Sequence, residues 1–438
     1  MTDSRTIYGT TFACECGRTH SVRPGEAIYA ADALERLPGV CARHAPGRRC
    51  AVLMDARTRA AAGREAAEAL AAAGWRVTEL LVADPPAGAV PACDDLTKAA
   101  LAPRLGEVDL LVPVGSGVIS DLGKWLAFEA HLPFVTFATA ASMNGYTSAN
   151  VAPTIDGVKT LVRARPPQAV LSSPSVLAEA PYEMTAAGLG DVLAKTTSSA
   201  DWRLNHRLFG DYYCERSVGL IAEIEPLYVD RPEALKARDA GALAALFDAL
   251  LLTGVAMTLA ESSAPASGGE HLLSHSLDMM SLRDGHPHDL HGRQVGVATV
   301  LAAELYRRVL AIESPPLRDA PAGIDRAFWG RPADVVARQY AEKAPRLRQA
   351  KERLAHGGAW DELRAELSAM LRPPEAIRDC LAAAGAACRA EDIGCGRERL
   401  RAAFVHAHEM RPRFTVLDLA RIAGVMPGAA GEIVEEWG

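Results

Sequence analysis

Short apolar runs alternate with helical patterns over the first third of the chain. Four runs have the length and composition of buried strands: 50–54, 75–82, 108–114 and 134–137. Segments with helical periodicity lie between them, at 59–73 and 119–130. Strands separated by helices of this length are typical of βαβ units, because parallel strands need a crossover connection. The pattern therefore predicts a parallel sheet with flanking helices.

Strand patterns nearly disappear after about residue 181. The rest of the chain consists of Ala-, Leu-, Arg- and Glu-rich segments with helical periodicity, separated by Pro and Gly: 235–261, 294–312, 332–353, 362–372, 374–384, 397–410 and 416–423. We therefore predict two domains, an α/β domain over residues 1–180 and an all-α domain over residues 181–438.

Composition narrows the class of partner. The 438 residues carry a formal net charge of −7, so a broad basic surface for nucleic acid or anionic membrane is not expected, and a small molecule is the better candidate. The nine cysteines show no framework spacing, and the start of the chain lacks an apolar leader; both observations predict a cytoplasmic protein. The apolar stretch 241–260 resembles a membrane span, but Asp248 near its centre favours a helix buried in protein.

Three distant segments carry candidate metal ligands: 188–195 (GLGDVLAK), 268–275 (GGEHLLSH) and 290–294 (LHGRQ). Taken singly, an Asp or His on a helix is more often solvated or part of the core. Here His271 and His275 are one helical turn apart, and five of the twelve histidines fall between positions 271 and 291. One carboxylate with two imidazoles leaves coordination positions vacant and suits Zn, Fe(II) or Ni better than Ca or Mg. The pattern predicts a catalytic metal site.

A second group of residues has the pattern of a nucleotide site. The run 108–114 leads into Gly115-Ser116-Gly117 and then a helix, where backbone N–H groups and a helix N-terminus could hold a pyrophosphate. Asp55 ends an earlier run, where a ribose hydroxyl is expected, and its charge favours NAD over NADP. The next hydroxyl-rich segment could line the cofactor and substrate with Thr139, Asn144 and Ser148, among others.

These residues resemble the sn-glycerol-1-phosphate dehydrogenases, within the larger group of metal-dependent polyol dehydrogenases and dehydroquinate-synthase-like enzymes. The resemblance rests on the glycine turn with Asp121, on 139–148 (TAASMNGYTS), on 180–195 with 200–202, on 265–275 (PASGGEHLLSH) and on His291-Gly292. It implies a Rossmann-like domain followed by a helical domain, a cleft between them that holds the active site, and reversible reduction of dihydroxyacetone phosphate by NAD(H) or NADP(H). It further implies a homodimer or larger oligomer and a role in phospholipid metabolism.

The resemblance also assigns residues by position. Asp191, His271 and His291 look like ligands of one divalent metal, with Zn the best fit and Ni or Fe also suited. His275 and Asn144, together with Asp191, lie where the family contacts substrate, although the family usually has Asp in place of Asn144, which leaves the exact substrate open. The residues expected to hold the cofactor are Asp55, Gly115, Ser116, Gly117, Asp121, Thr139, Ser142 and Ser148.

The catalytic groups expected from this pattern are Asp191, His275 and Lys195. His275 could relay a proton, and Lys195, one turn after Asp191, could hold a substrate phosphate. One alternative is a dehydroquinate-synthase-like cyclase, which uses NAD only transiently. Another is an N-terminal zinc-binding module built from Cys14, Cys16, His20, Cys41 and His44, although a β-hairpin with incidental thiols is favoured over it.

Overall fold

The computed structural model describes residues 7–85 and 90–438. Its strands are β1 (Thr11–Ala13), β2 (Thr19–Ser21), β3 (Glu26–Tyr29), β4 (Arg49–Met54), β5 (Arg76–Leu81), β6 (Leu110–Gly115), β7 (Val135–Ala138), β8 (Asn150–Val151), β9 (Thr154–Ile155), β10 (Val158–Lys159), β11 (Val162–Arg163) and β12 (Ala169–Ser172). The N-terminal hairpin favoured by the sequence is confirmed, because β1 and β2 pair antiparallel.

The predicted parallel sheet is also confirmed. Its six strands run in the order β3-β12-β7-β6-β4-β5, and every neighbouring pair is parallel. The central strand β6 is buried along its whole length, as expected of a parallel strand covered by helices on both faces. Since parallel strands end at the same edge of a sheet, Asp55 after β4 and Ser116 after β6 follow neighbouring carboxyl ends.

The helices are α1 (Ala33–Ala42), α2 (Ala56–Thr58), α3 (Arg64–Ala72), α4 (Asp95–Leu101), α5 (Gly117–Glu129), α6 (Pro174–Glu179), α7 (Tyr182–Leu193), α8 (Lys195–Phe209), α9 (Glu215–Gly219), α10 (Pro226–Val229), α11 (Pro232–Lys236), α12 (Ala240–Ala260), α13 (Gly269–Asp284), α14 (His291–Leu310), α15 (Arg326–Trp329), α16 (Ala333–Leu354), α17 (Ala359–Met370), α18 (Pro374–Ala383), α19 (Arg397–His406), α20 (Val416–Ile422) and α21 (Ala430–Trp437). A π-helical turn, Arg59–Gly63, joins α2 to α3. The helical second part predicted from the sequence is thus confirmed.

Two compact units make up the chain. The first contains the residues up to Gly188 together with Arg216–Ser263, and the second contains Leu189–Glu215 and Ala264–Gly438. The apolar helix α12 belongs to the first unit. By length and composition it could cross a membrane, but 89% of its most apolar window is buried, which identifies it as a core helix.

Candidate metal centre and nucleotide-binding turn

Helix α13 carries two of the predicted site histidines, and its first turn is fixed by two carboxylates. The backbone N–H of Gly269 donates to Oδ2 of Asp201 at 2.7 Å, and that of Gly268 donates to Oε1 of Glu270 at 2.6 Å. Asp201 also accepts hydrogen bonds from the Tyr306 hydroxyl and the Val416 N–H. These contacts satisfy N–H groups that a helix start leaves without intrahelical partners, and they fix where α13 begins.

Asp191 on α7, His271 on α13 and His291 at the start of α14 come together in the second unit. One ligand atom from each lies within 4.8 Å of the other two. Oδ1 of Asp191 is 3.5 Å from Nε2 of His271, and the rings of His271 and His291 are 5.1 Å apart. Asp191 and His271 are buried, with exposures of 2% and 5%. Three groups predicted from distant segments therefore face one small volume.

Glu270 determines which nitrogen of His271 faces this volume. Oε1 of Glu270 lies 2.9 Å from Nδ1 of His271, and an ionised carboxylate can only accept, so Nδ1–H donates and Nε2 is the nitrogen left to bind a metal. Thr197 donates to the other oxygen of Glu270 at 2.8 Å. Burial lowers the pKa of His271, but Asp191 and Glu270 outweigh it and raise that pKa to about 9. A metal that binds at Nε2 must therefore displace a proton.

A hydroxyl orients the second imidazole in the same manner. Ser274 donates to Oε1 of Gln294 at 2.9 Å, so its oxygen is left to accept from Nδ1–H of His291 at 3.2 Å. This contact puts the lone pair of His291 on Nε2. Metal-binding histidines commonly donate their other ring N–H to a carboxylate or another oxygen, and both imidazoles here follow that rule.

His275 lies beside the three groups rather than between them. Its ring stacks on that of His291 at 5.3 Å, and it is buried, as is Lys195 at the start of α8. His275, Asp278 and His291 also form a cluster whose ligand atoms lie within 4.8 Å. By contrast, the extra histidines between α13 and α14 are exposed: His286 and His288 lie in the connecting loop. The geometry thus favours His291 over both of them as the third ligand.

The donor set fits a divalent transition metal. One carboxylate and two Nε2 atoms, each imidazole oriented by an oxygen acceptor, match an open catalytic site of Zn, Fe(II) or Ni. The sequence did not identify Glu270, Ser274 or Gln294 as contributors. Glu270 immediately precedes His271 and Gln294 lies inside the LHGRQ motif, but adjacency does not reveal which atom touches the ring.

The predicted glycine turn lies at the carboxyl end of β6. Gly115 ends the strand, Ser116 caps α5 and Gly117 begins it. A Cβ on Gly115 would lie 2.5 Å from the Ile119 side chain, whereas a Cβ on Gly117 would meet nothing within 4 Å. The first glycine is therefore required for packing and the second leaves open space at a helix N-terminus, where a phosphate can be held.

A buried lysine accounts for two residues that the sequence assigned to cofactor binding. Lys124 on α5 is completely buried, and its Nζ donates to Oγ of Ser148 at 3.1 Å and lies 3.6 Å from Oδ1 of Asp121. Burial raises the pKa of Asp121 and lowers that of Lys124. This network joins α5 to the loop after β7, which gives Asp121 and Ser148 a structural role.

Ser142 and Thr139 lie in the loop after β7. Oγ of Ser142 hydrogen-bonds Oγ of Ser116, and the N–H of Thr139 donates to the Gly115 carbonyl at 3.3 Å, so this loop borders the glycine turn. Asn144 is buried in the same loop. The loop packs on α12, since Thr147 donates to the Leu251 carbonyl at 2.6 Å. This contact explains why an apolar helix so late in the chain belongs to the first unit.

Asp55 caps α2 and pairs with an arginine that sequence reasoning missed. Its Oδ1 accepts the N–H of Thr58 at 2.7 Å, and its Oδ2 accepts from Arg57 at 2.9 Å. Arg57 also donates to Asp84 at 2.6 Å, which lowers the pKa of that carboxyl. The Arg57 guanidinium is half-exposed next to Asp55, the residue expected to contact the ribose, and an arginine at such a position can accommodate a 2′-phosphate.

Comparisons with known proteins identify relatives over most of the chain. A profile of the iron-containing alcohol dehydrogenase family matches residues 28–181. A glycerol-1-phosphate dehydrogenase (NAD(P)+) of Bacillus licheniformis is 30% identical over 427 residues, covering 97% of this chain and 96% of its own. The enzyme of the same name from Geobacillus stearothermophilus is 34% identical over 406 residues, covering 92% of this chain and 94% of its own.

Solved structures extend the comparison of the fold. A probable glycerol dehydrogenase from Sinorhizobium meliloti matches with a TM-score of 0.60 at 18% identity, covering 94% of this chain and 98% of its own. The NADH-dependent butanol dehydrogenase A of Thermotoga maritima matches with a TM-score of 0.59 at 16% identity, covering 95% and 99%. At these identities the likeness concerns the architecture, a parallel sheet with flanking helices followed by a helical part.

Proposed function

Since the chain belongs to the glycerol-1-phosphate dehydrogenase family, we propose that it interconverts dihydroxyacetone phosphate and sn-glycerol 1-phosphate at a metal site built from Asp191, His271 and His291. The observation that carries this assignment is the convergence of those three groups, with both imidazoles oriented through Nδ1. The chain is an NAD(P)-dependent dehydrogenase, as its relatives are.

Each imidazole ligand has a supporting residue in this proposal. A divalent ion bound there supplies Lewis acidity to a substrate oxygen. Asp191 contributes the negative charge that favours a cation, Glu270 accepts from Nδ1–H of His271 and so leaves Nε2 to the metal, and Ser274 does the same for His291. Zn is the best fit to this set, with Ni and Fe also suited, because all three accept mixed imidazole and carboxylate ligands.

His275 is the proposed proton carrier. When the ketone is reduced, its oxygen gains a proton, and when the alcohol is oxidised that proton leaves. An imidazole is the side chain best suited to both directions near neutral pH. His275 stacks on His291 and is buried, which places it beside the ligand set without making it one of the three.

The substrate phosphate and the cofactor need separate partners. Lys195 is the proposed phosphate contact, because it begins α8 only four residues after Asp191 and an ammonium binds phosphate as a point charge. For the cofactor we propose the turn Gly115 to Gly117 for the pyrophosphate and Asp55 for the ribose. Arg57 would stabilise the additional phosphate of NADP, in keeping with the dual cofactor use named for the relatives.

The test is the initial rate of NADH and NADPH oxidation with dihydroxyacetone phosphate or dihydroxyacetone. Wild-type protein reconstituted with Zn, Ni or Fe(II) is compared with His271→Ala and with His286→Ala, a control histidine in the exposed loop. We expect wild type and the control to reduce the phosphate ester, and His271→Ala to match metal-free protein. Consumption of substrate without stoichiometric NADH loss would instead indicate a cyclase.

A second assay tests the stereochemistry. In the reverse direction we expect NAD+ reduction with sn-glycerol 1-phosphate and not with sn-glycerol 3-phosphate. Equal turnover of the two enantiomers, or turnover of neither by protein that retains its metal, would mean that Asn144 marks a different phosphorylated ketose or polyol.

A further inference from the structure

The N-terminal hairpin holds a second group of metal-binding side chains, remote in sequence from the proposed active site. The thiols of Cys14 and Cys16 and the imidazole of His20 bring their ligand atoms within 4.8 Å of one another. Sγ of Cys16 is 3.3 Å from Nε2 of His20. In a tetrahedral site with Zn–S about 2.3 Å and Zn–N about 2.1 Å, a sulfur and a nitrogen ligand lie about 3.6 Å apart. The observed spacing is therefore close to that of a loaded site.

The backbone between the strands produces this convergence. The Gly17 N–H donates to the Cys14 carbonyl at 2.9 Å, and the Cys14 N–H donates to the Arg18 carbonyl at 2.9 Å. Gly17 has a φ of +84°, which an L side chain rarely adopts, so the turn depends on glycine. The turn lets Cys16 fold back toward Cys14, while pairing of Phe12 with His20 sets the register of the imidazole.

The hairpin is a short element. Each strand is three residues long, and an isolated two-stranded hairpin is marginal in water. Its apolar contacts are few: Phe12 and Val22 join a small cluster with Val255 and Leu259 of α12. His20 is nonetheless 4% exposed, an unusual burial for an imidazole in so small an element. A metal that joined both strands would account for this arrangement.

We propose that Cys14, Cys16 and His20 bind a structural Zn ion that fastens the hairpin ahead of the sheet strand β3. Two thiolates and an imidazole form a softer set than the one carboxylate and two imidazoles of the proposed active site, and soft sets select Zn over Fe(II) or Ni. Cys41 and His44, the other members of the module considered from the sequence, do not join this group among the residues that the structure describes. The proposed zinc site therefore uses three of the five residues of the module considered from the sequence.

A fourth ligand completes a tetrahedral structural site. Cys214→Ser, compared with Cys388→Ser, tests whether a further thiolate fills that position. The three ligands above define the proposal whichever group fills the fourth position.

Metal content and a spectroscopic signature test the proposal. Wild-type holoenzyme is compared with a Cys14→Ser/Cys16→Ser variant, with His271→Ala and with Cys388→Ser as a control thiol. We expect two equivalents of metal per wild-type or Cys388→Ser chain and one in each of the other two variants. After Co(II) substitution, thiolate-to-cobalt charge-transfer absorption should appear in wild type, Cys388→Ser and His271→Ala, and disappear in the double-serine variant.

The active-site ligands contain no sulfur, so this absorption distinguishes the two sites. If the double-serine variant folds poorly, a thiol-directed mercurial added to wild type should release one equivalent of Zn while dehydrogenase activity persists. A single equivalent of metal in wild type that the double-serine variant retains, or cobalt-loaded wild type without thiolate absorption, would overturn the proposal. Neither result depends on which substrate the enzyme reduces.

Discussion

A methyl group on Gly190 would lie 2.1 Å from the carbonyl oxygen of Gly292. Each glycine is the immediate neighbour of a proposed ligand, Asp191 on α7 and His291 on α14. The same methyl would also approach the Cα of Gly296 to 3.1 Å. The two helices can therefore bring their ligands together only because neither backbone carries a side chain at the crossing.

Substitution Gly190→Ala should weaken metal binding. The contact atom is backbone, which cannot rotate away, so α7 and α14 must separate and carry Asp191 away from His291. Overpacking of this kind costs about 1–3 kcal/mol of stability. We expect a lower melting temperature and a lower metal affinity, measured by competition with a chromogenic chelator. Gly219→Ala is the control, because a Cβ there meets nothing within 4 Å. A Gly190→Ala protein that binds metal with wild-type affinity would contradict this account of the crossing of α7 and α14.

Substitution Glu270→Gln tests the orientation of His271. The amide oxygen of Gln can still accept from Nδ1–H but carries no negative charge, and supporting partners of this kind are worth about 10- to 100-fold in metal affinity. We expect a loss in that range by isothermal titration, with Thr197 and Gly268 still able to contact the neutral side chain, which has the same length. Glu304→Gln, a buried carboxylate paired with Arg308, serves as the control. Equal metal affinities in the two variants would mean that Glu270 serves the fold rather than the metal.

Substitution Arg57→Ala should shift the cofactor preference toward NADH. Arg57 pairs with Asp55 and Asp84, and a 2′-phosphate would replace Asp84 as its partner. A charge-assisted hydrogen bond of this strength corresponds to about tenfold in kcat/KM. We expect that loss with NADPH and little change with NADH. Arg59→Ala removes a neighbouring arginine that pairs with Glu79, and it should leave the ratio of kcat/KM with NADPH to kcat/KM with NADH unchanged. An equal loss with both cofactors in Arg57→Ala would refute a role of Arg57 in binding the 2′-phosphate.

His408 should make the protein less stable in acid. Burial lowers the pKa of this imidazole to about 4, whereas an unfolded histidine titrates near 6.5. Between these values the unfolded chain binds the proton and the folded chain does not, so the free energy of unfolding falls as pH drops below 6.5. The loss is about 2 kcal/mol at about pH 5.

Urea unfolding midpoints at about pH 7 and about pH 5 measure this dependence. We expect His408→Gln to shrink the difference between the two midpoints, because the group that takes up the proton is gone. His356→Gln, at an exposed position, should keep the wild-type difference. An unchanged difference in His408→Gln would place the acid sensitivity elsewhere.

The elements that the sequence predicted well have strong periodicity and long buried faces. Strand β6 and helix α14 were both recognisable, because β6 is a continuous apolar run and α14 repeats its apolar positions over many residues. Strands β3 and β12 were missed. The sequence EAIY of β3 is only partly buried and AVLS of β12 is four residues long, so neither differs from a loop until its parallel partner is known.

The residues of the candidate site also separate into those that the sequence predicted and those that it did not. Asp191, His271 and His291 could be found because metal ligands recur in short motifs whose chemistry is readable. Glu270 and Arg57 could not, since their roles depend on partners 73 and 27 positions away, Thr197 and Asp84. Lys124 gave a weak signal: it lies on the apolar face of α5, where a lysine is seldom buried without a partner.

The discontinuity of the first unit has a consequence for synthesis. A nascent chain that has emerged as far as Gly188 has its six sheet strands but lacks α12, which covers the loop after β7 and the N-terminal hairpin. The first unit cannot be completed until the chain has been synthesised as far as Ser263. Until then the nascent chain exposes the apolar surface that α12 later covers. The helix that finally covers it has a mean hydropathy of 2.0 in its most apolar window and is itself attractive to membrane-insertion machinery on leaving the ribosome. The order of the segments therefore makes the nascent chain prone to aggregation, or to capture by the membrane-insertion machinery, while the residues between Gly188 and Ser263 are being synthesised.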